Sequence, residues 1–317
     1  MESLHAKHAA IIYNPIARGL SRHPRSLQSS TEALARMGLA TTLVATAGPG
    51  AAATQARSLI QGGCDLIIAA GGDGTINEVA NGMLHSGVPL AILPGGTANV
   101  LAREIRLPRS MDRVAARIDE LQPIRIPVGR LHTPAGPRVF LCMAGAGLDA
   151  EIVYRLNLDL KAVMGKLAYY VGGFGQVFRP LKEFEVTVDG HSHTASFALI
   201  SRVRNYGGDL EIARGASLLR NEFEVVLFRG TIGMRYLPYL FGVVLRRMNQ
   251  MKGCRVVRGS SVACASVPAT DIYYQVDGEL GGPLPVSAEI VPDALTLLVP
   301  REYLTREQAL VAVPACA

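Results

Sequence analysis

Gly71-Gly72-Asp73-Gly74-Thr75 stands between an apolar strand-like run ending at Ala70 and a helical run continuing through Ile76, Val79 and Met83. Consecutive glycines let backbone N–H groups surround an anion, and the N-terminus of the following helix adds the positive end of its dipole, so phosphate is the natural ligand. A carboxylate inside such a loop repels phosphate unless a cation lies between them. Asp73 therefore implies Mg²⁺ carried in by a nucleotide. A second loop, Pro94-Gly95-Gly96-Thr97-Ala98-Asn99, repeats the design, with Thr97 expected as the N-cap of the helix bearing Arg103. The segment from Asn14-Pro15 to Arg18-Gly19 is expected to face the same pocket, and Thr46 ends the second strand where it adds a hydroxyl.

Other chemistries have weaker support. The only Gly-Lys pair, Gly165-Lys166, is followed by Leu167, and no GxxxxGK[ST] occurs, which excludes a P-loop enzyme. Gly145-Ala146-Gly147-Leu148-Asp149-Ala150 spells GxGxxA, yet no acidic residue follows near 167–170 to take a ribose, so it reads poorly as a dinucleotide site. HExxH and GxSxG are absent, which removes zincin and α/β-hydrolase readings. Asp277-Gly278-Glu279, taken alone, is a hairpin turn with solvated charges. The five cysteines are odd in number and show no CxxC, so neither a disulfide framework nor a zinc site is indicated and a reducing cytoplasm fits.

The elements that position the glycine loops follow from periodicity. Strands are expected at Ala9–Tyr13, Thr41–Thr46, Leu66–Ala70 and Leu90–Leu93, with helices near Pro24–Met37, Ala51–Gln61, Thr75–His85 and Thr97–Ile105. This alternation implies right-handed crossovers and a doubly wound parallel sheet whose ligand site lies at the carboxyl ends of its strands. After about Leu121 the texture changes to strand-like runs at Ile124–Val128, Val139–Met143, Glu185–Val188, Ser196–Ser201 and Glu224–Phe228, which implies an antiparallel second domain, a sandwich. Met234, Leu237, Phe241, Val244, Met248 and Met251 form an apolar helical stripe, with Arg235, Arg246, Arg247 and Lys252 on other faces.

At 317 residues, two domains are the natural expectation, and 49% hydrophobic with 18% charged residues is ordinary globular usage. The net charge of +6 is uneven: from Arg202 to Arg258 eleven basic residues face four acidic ones. That excess suits an anionic partner such as a membrane surface or nucleic acid. The N-terminus lacks a signal-peptide stretch, and the longest apolar run, near Leu237–Leu245, is far short of a membrane span of ~20 residues, so any membrane contact is expected to be peripheral.

The ordered set NPxxxG at 14–19, GGDGTINEV at 71–79, PGGTANVLAR at 94–103, GAGLDA at 145–150, GKLAYY at 165–170, VDG at 188–190, YGG at 206–208 and VDGEL at 276–280 resembles the bacterial lipid kinases of the diacylglycerol kinase catalytic-domain type, relatives of sphingosine kinases. GGDGT alone is shared with NAD kinases and 6-phosphofructokinases. GTAN combined with a late DGE is similar to the lipid kinases. The resemblance implies an ATP-binding α/β domain over 1–123 with a returning C-terminal segment 300–317, and a β-sandwich lipid-substrate domain over 124–299. It implies ATP phosphates on Gly71, Gly72, Asp73, Gly74, Thr75, Gly96, Thr97 and Asn99, with Asn14 and Thr46 alongside. Asp73 is then the Mg²⁺ ligand, and Asp277 with Glu279 is the acidic pair serving a lipid hydroxyl that enters between the domains. Implied partners are a lipid such as diacylglycerol and an anionic bilayer at the inner face of the membrane, with self-association allowed and nucleic acid excluded. An NAD kinase and a non-catalytic nucleotide- or lipid-binding protein are the competing readings. One departure stands out: Arg214-Gly215-Ala216 and Arg220-Asn221-Glu222 occupy positions where relatives have Pro-x-Ala and Asp-Gly, and a cation there opposes a structural Mg²⁺.

Overall fold

The computed structural model describes residues 6–151, 180–206, 210–231, 251, 253–266 and 271–312. The chain divides into two compact units, Met1–Pro127 with Pro292–Ala317, and Val128–Val291. Both divisions fall inside long strands, where the sequence suggested 123/124 and 299/300.

The first unit begins with β1 (His8–Tyr13), α1 (Arg18–Arg22), α2 (Arg25–Arg36), β2 (Ala40–Ala45), α3 (Ala51–Gln61), β3 (Leu66–Gly71), α4 (Asp73–Met83), β4 (Pro89–Pro94), α5 (Val100–Glu104) and α6 (Met111–Ala115). The four strands lie in the order β2-β1-β3-β4, all parallel. Every residue of β3 is buried, as a strand covered on both faces requires, whereas the edge strand β2 is largely exposed. Small residues let α3 and α4 approach closely: Ala52 and Ala56 are fully buried, and a side chain at Gly82 would run into the backbone of Ala53. Register aligns Tyr13 with Ala45 and Ala70, and Gly71 with Pro94, so the strands end level with one another. The loops after them therefore emerge on one edge of the sheet. The chain leaves this unit through β5 (Gln122–Thr133) and returns through β18 (Val286–Val299), whose Thr296 and Leu297 pair in parallel with β4 before α7 (Arg301–Ala312).

The second unit continues with β6 (Gly136–Phe140), β7 (Met143–Gly147), β8 (Phe184–Val188), β9 (His191–Ala195), β10 (Phe197–Ser201), β11 (Asn205–Tyr206), β12 (Leu210–Glu211), β13 (Phe223–Phe228), β14 (Cys254–Gly259), β15 (Ser261–Ala265), β16 (Tyr273–Val276) and β17 (Glu279–Pro283), and ends in the first part of β18. One sheet runs β14-β13-β10-β7-β16-β17, and its pairings are antiparallel. The facing strands β18, β15, β8 and β9 are antiparallel as well. Phe223, Val225, Leu227, Ala198, Ile200, Ala144 and Tyr274 of the first set meet Val186, Val188, Val262, Cys264 and Val286 of the second in one buried cluster. The alternation of these residues with outward ones is what a sandwich needs, so the α/β plus β-sandwich reading of the sequence holds.

Two local expectations are corrected. Thr97 does not cap a helix: α5 starts at Val100 behind Asn99, which lies in the left-handed region at φ 49°. The Asn99 side chain instead reaches back to Gly96, closing the loop and delaying the helix by three residues. The run Val139–Met143 is not one strand, because β6 ends at Phe140 and β7 starts at Met143. The amides of Leu141, Cys142 and Met143 turn toward the Asp277 carboxylate, which breaks the ladder there. The apolar stripe 234–251 lies, except for Met251, outside the described residues, as do Gly165-Lys166 and most of YGG at 206–208.

Candidate active site

Three loops at the strand ends of the first unit are stitched backbone to backbone. The Gly19 N–H donates to the Gly95 carbonyl at 2.8 Å, and the Gly95 N–H donates to the Gly71 carbonyl at 2.8 Å. A Cβ on Gly96 would lie 2.5 Å from the Cα of Gly72, and one on Gly72 would lie 3.3 Å from the Cα of Gly96. Glycine is thus required at 96 by the mutual approach of the loops, and a side chain at 72 would be crowded, in addition to any approach of phosphate.

Asp73 is the first residue of α4, and its Oδ1 accepts from the Leu101 amide at 3.4 Å. Gly74 follows within the first turn, and Thr75 is buried with its side chain against the Cα face of Gly71. Thr97 is exposed, while Asn99 accepts from the Gly96 N–H at 2.8 Å and donates to the Gly96 carbonyl at 3.0 Å. Asn14 accepts from the Ile16 amide at 3.1 Å, forming its own turn, and the Thr46 amide donates to the Tyr13 carbonyl. The fold therefore brings the sequence-predicted nucleotide residues to one sheet edge. It gives Asn14 and Asn99 loop-shaping hydrogen bonds. Among the described residues no group of three or more His, Cys, Asp or Glu side chains could hold a metal ion by itself. A single carboxylate at a helix N-terminus fits Mg²⁺ that arrives bound to phosphates, an ion that keeps most of its shell from water and substrate.

In the second unit Asp277 and Gly278 connect β16 to β17, with Val276 paired to Glu279. Their φ angles of 47° and 82° are both left-handed, as a two-residue hairpin requires. The Asp277 carboxylate accepts from Leu141 at 3.0 Å, Cys142 at 2.9 Å and Met143 at 2.8 Å, while its own amide donates to the Met143 carbonyl. Glu279 pairs with Arg138 at 3.0 Å in an exposed setting. The second VDG, at 188–190, repeats the device: Asp189, at φ 43°, accepts from the amides of Ser260 and Ser261.

Sequence reasoning missed two buried polar groups. Asp149 is fully buried, accepting from the Tyr206 hydroxyl and from Gln275 Nε2, and burial pushes its carboxyl up to about 6. Gly145 is glycine because a side chain there would strike the Asp149 carboxylate, which accounts for part of the GxGxxA spelling. Arg202 is also fully buried, donating to the carbonyls of Leu218 at 2.8 Å, Arg220 at 2.6 Å and Glu222 at 3.1 Å. Arg220 in turn pairs with Glu222 at 3.2 Å. The carbonyls of this segment are thus gathered around a guanidinium, and the described residues do not fit a structural Mg²⁺ there. Arg202→Met is expected to lower the unfolding free energy by about 3 kcal/mol, since it leaves buried carbonyls without donors, and EDTA should not change the melting temperature of the wild type. Urea unfolding and a thermal melt with chelator check both. Part of the basic charge at 202–258 is used internally. Arg202 and Arg204 are buried, and Arg258 lies 3.5 Å from Glu224, whose carboxyl burial raises.

Residues 8–131 match the diacylglycerol kinase catalytic domain, and residues 142–299 match the YegS C-terminal NAD kinase beta sandwich-like domain. The chain thus carries a diacylglycerol kinase catalytic domain followed by a YegS-type β-sandwich domain. Curated relatives named diacylglycerol kinase include one from Staphylococcus saprophyticus, 27% identical over 95% of this chain and 98% of its own length. Another, from Staphylococcus epidermidis, is 26% identical over 95% of both chains. A solved structure titled a diacylglycerol kinase from Bacillus anthracis str. Sterne shares the fold at TM-score 0.72 and 20% identity, covering 94% of this chain and 99% of that one. A second structure from that organism reaches 0.78 at the same identity and coverage.

Proposed function

We propose that this protein is an ATP-dependent lipid kinase that transfers the γ-phosphoryl group to the hydroxyl of a lipid alcohol such as diacylglycerol. The observation that carries the reading is the set of interlocked glycine loops with Asp73 opening α4, a phosphate cradle supplied by the unit that matches the catalytic-domain model. In this reading the amides of Gly72, Gly74 and Thr75 and the Gly96-Thr97 loop bind the phosphates, with Asp73 holding the Mg²⁺ that accompanies them. Mg²⁺ so bound neutralises charge on the transferring group. Phosphoryl transfer through a loose transition state asks for a placed hydroxyl more than for a strong base. Asp277 suits that role as a carboxylate whose direction is fixed by the amides of Leu141, Cys142 and Met143. It orients the acceptor hydroxyl and takes its proton, and Glu279 adds negative charge beside it.

Incubation with radiolabelled ATP and either a total lipid extract or NAD tests the reading. Label in a lipid-soluble product, identified by mass, supports it. Label in NADP alone would establish an NAD kinase, and no transfer to either would leave a binding protein.

An acceptor held in a bilayer places the enzyme at a membrane surface, and we infer peripheral attachment at the inner face. Among the described residues no helix is long and apolar enough to cross a membrane. Replacing Arg246, Arg247 and Lys252 together with Gln should weaken sedimentation with anionic vesicles at low salt without changing ATP affinity, because each basic residue near the headgroups contributes about 1 kcal/mol. Sedimentation equal to wild type would reject attachment by this segment.

A further inference from the structure

A buried chain of hydrogen bonds runs from Tyr206 to the turn that carries Asp277. The Tyr206 hydroxyl donates to Asp149 Oδ1, Gln275 Nε2 donates to Asp149 Oδ2 at 2.7 Å, and Gln275 Oε1 accepts the Gly278 N–H at 2.8 Å. Asp149 is fully buried and Gln275 is 1% exposed. The direction of the chain is fixed by chemistry: the carboxylate can only accept from the Gln275 amide and the Gly278 N–H can only donate, so the amide has one allowed orientation. Room for the carboxylate comes from Gly145, which pairs with Gln275 across the ladder between β7 and β16. A buried carboxyl is costly to keep, and its placement asks for a role beyond packing.

We propose that Asp149 is a positioning residue: through Gln275 it sets the Gly278 amide and so the pose of the Asp277 carboxylate toward the acceptor hydroxyl. The inference rests on Asp277 being the acceptor-side carboxylate. D149L removes both acceptor atoms at similar size, so Gln275 Nε2 loses its partner and nothing holds the Gln275 amide in the orientation that accepts from Gly278. D149N, in contrast, can keep the chain, because its amide turned over donates to the Tyr206 hydroxyl while its oxygen accepts from Gln275.

The test uses the full-length protein with ATP and diacylglycerol in mixed micelles. D149L should lower kcat at least tenfold with the ATP KM within twofold, and the Gly278 amide should exchange faster with solvent. D149N, which can keep the bond to Gln275, should recover at least half of that loss on a logarithmic scale and restore slow exchange. If D149L does not fold, Gln275→Leu, which removes the acceptor of Gly278 and fills the same space, should show the same kcat loss. A folded D149L with kcat within twofold of wild type, or a D149N no better than D149L, overturns the proposal. Asp277→Asn separates the two levels. If it is inactive while D149L is not, only the positioning role falls. If it keeps wild-type kcat, both fall.

Discussion

Asp73→Asn should reduce kcat with every lipid acceptor to below about a tenth of wild type, and this is the largest single loss expected from the first unit. The change keeps the size and shape of the side chain, so the glycine loops and the start of α4 are retained, including the acceptor for the Leu101 amide. What is lost is the negative charge facing a nucleotide-bound cation, an interaction that strengthens as charge develops on the transferring group. Raising Mg²⁺ tenfold should recover little of the activity, because the loss lies in the transition state and not in ground-state occupancy. Steady-state kinetics at saturating ATP decide the matter. A kcat above a tenth of wild type would remove Asp73 from the metal role.

The second large effect is expected at Asp277. Asn at this position lacks the charge that draws the hydroxyl proton and can accept with only one atom, where the carboxylate accepts from Leu141, Cys142 and Met143. Positioned bases contribute on the order of 10²–10⁴ in rate, so kcat should fall by about that factor while the ATP KM stays within about twofold. Asp189 is the internal control. It sits in the same Val-Asp-Gly turn and braces a neighbouring strand through the Ser260 and Ser261 amides. Asp189→Asn should cost a comparable ~1 kcal/mol of stability and leave kcat near wild type. If both variants lose stability alike and neither loses kcat, Asp277 is a brace of the hairpin, and Asp73 or Glu279 is left as the candidate proton acceptor.

The sequence by itself determined the four strands β1 to β4 and the helices α2, α3 and α4 to within a residue or two, but not α1, α6 or the return of β18 beside β4. A short apolar run such as Leu66–Gly71, bounded by turn residues, suits a strand covered on both faces, and Gly50, at φ 80°, marks the start of α3 through a backbone preference that acts within a few residues. The glycine loops and Asp73 were legible for the same reason, since phosphate binding depends on a short stretch of backbone and the helix that follows it. The DG hairpin was legible as a turn but not as a brace for residues some 135 positions earlier. Tertiary structure alone decided what Asp149, Arg202 and Gln275 do. Their partners are distant in the chain and are selected by burial, where a polar group must find hydrogen bonds wherever the fold supplies them, and no local periodicity records that choice. The same holds for Asn99. The resemblance places it among the nucleotide residues, and the fold adds that its left-handed backbone turns the side chain onto Gly96, whose own backbone lies against Gly72.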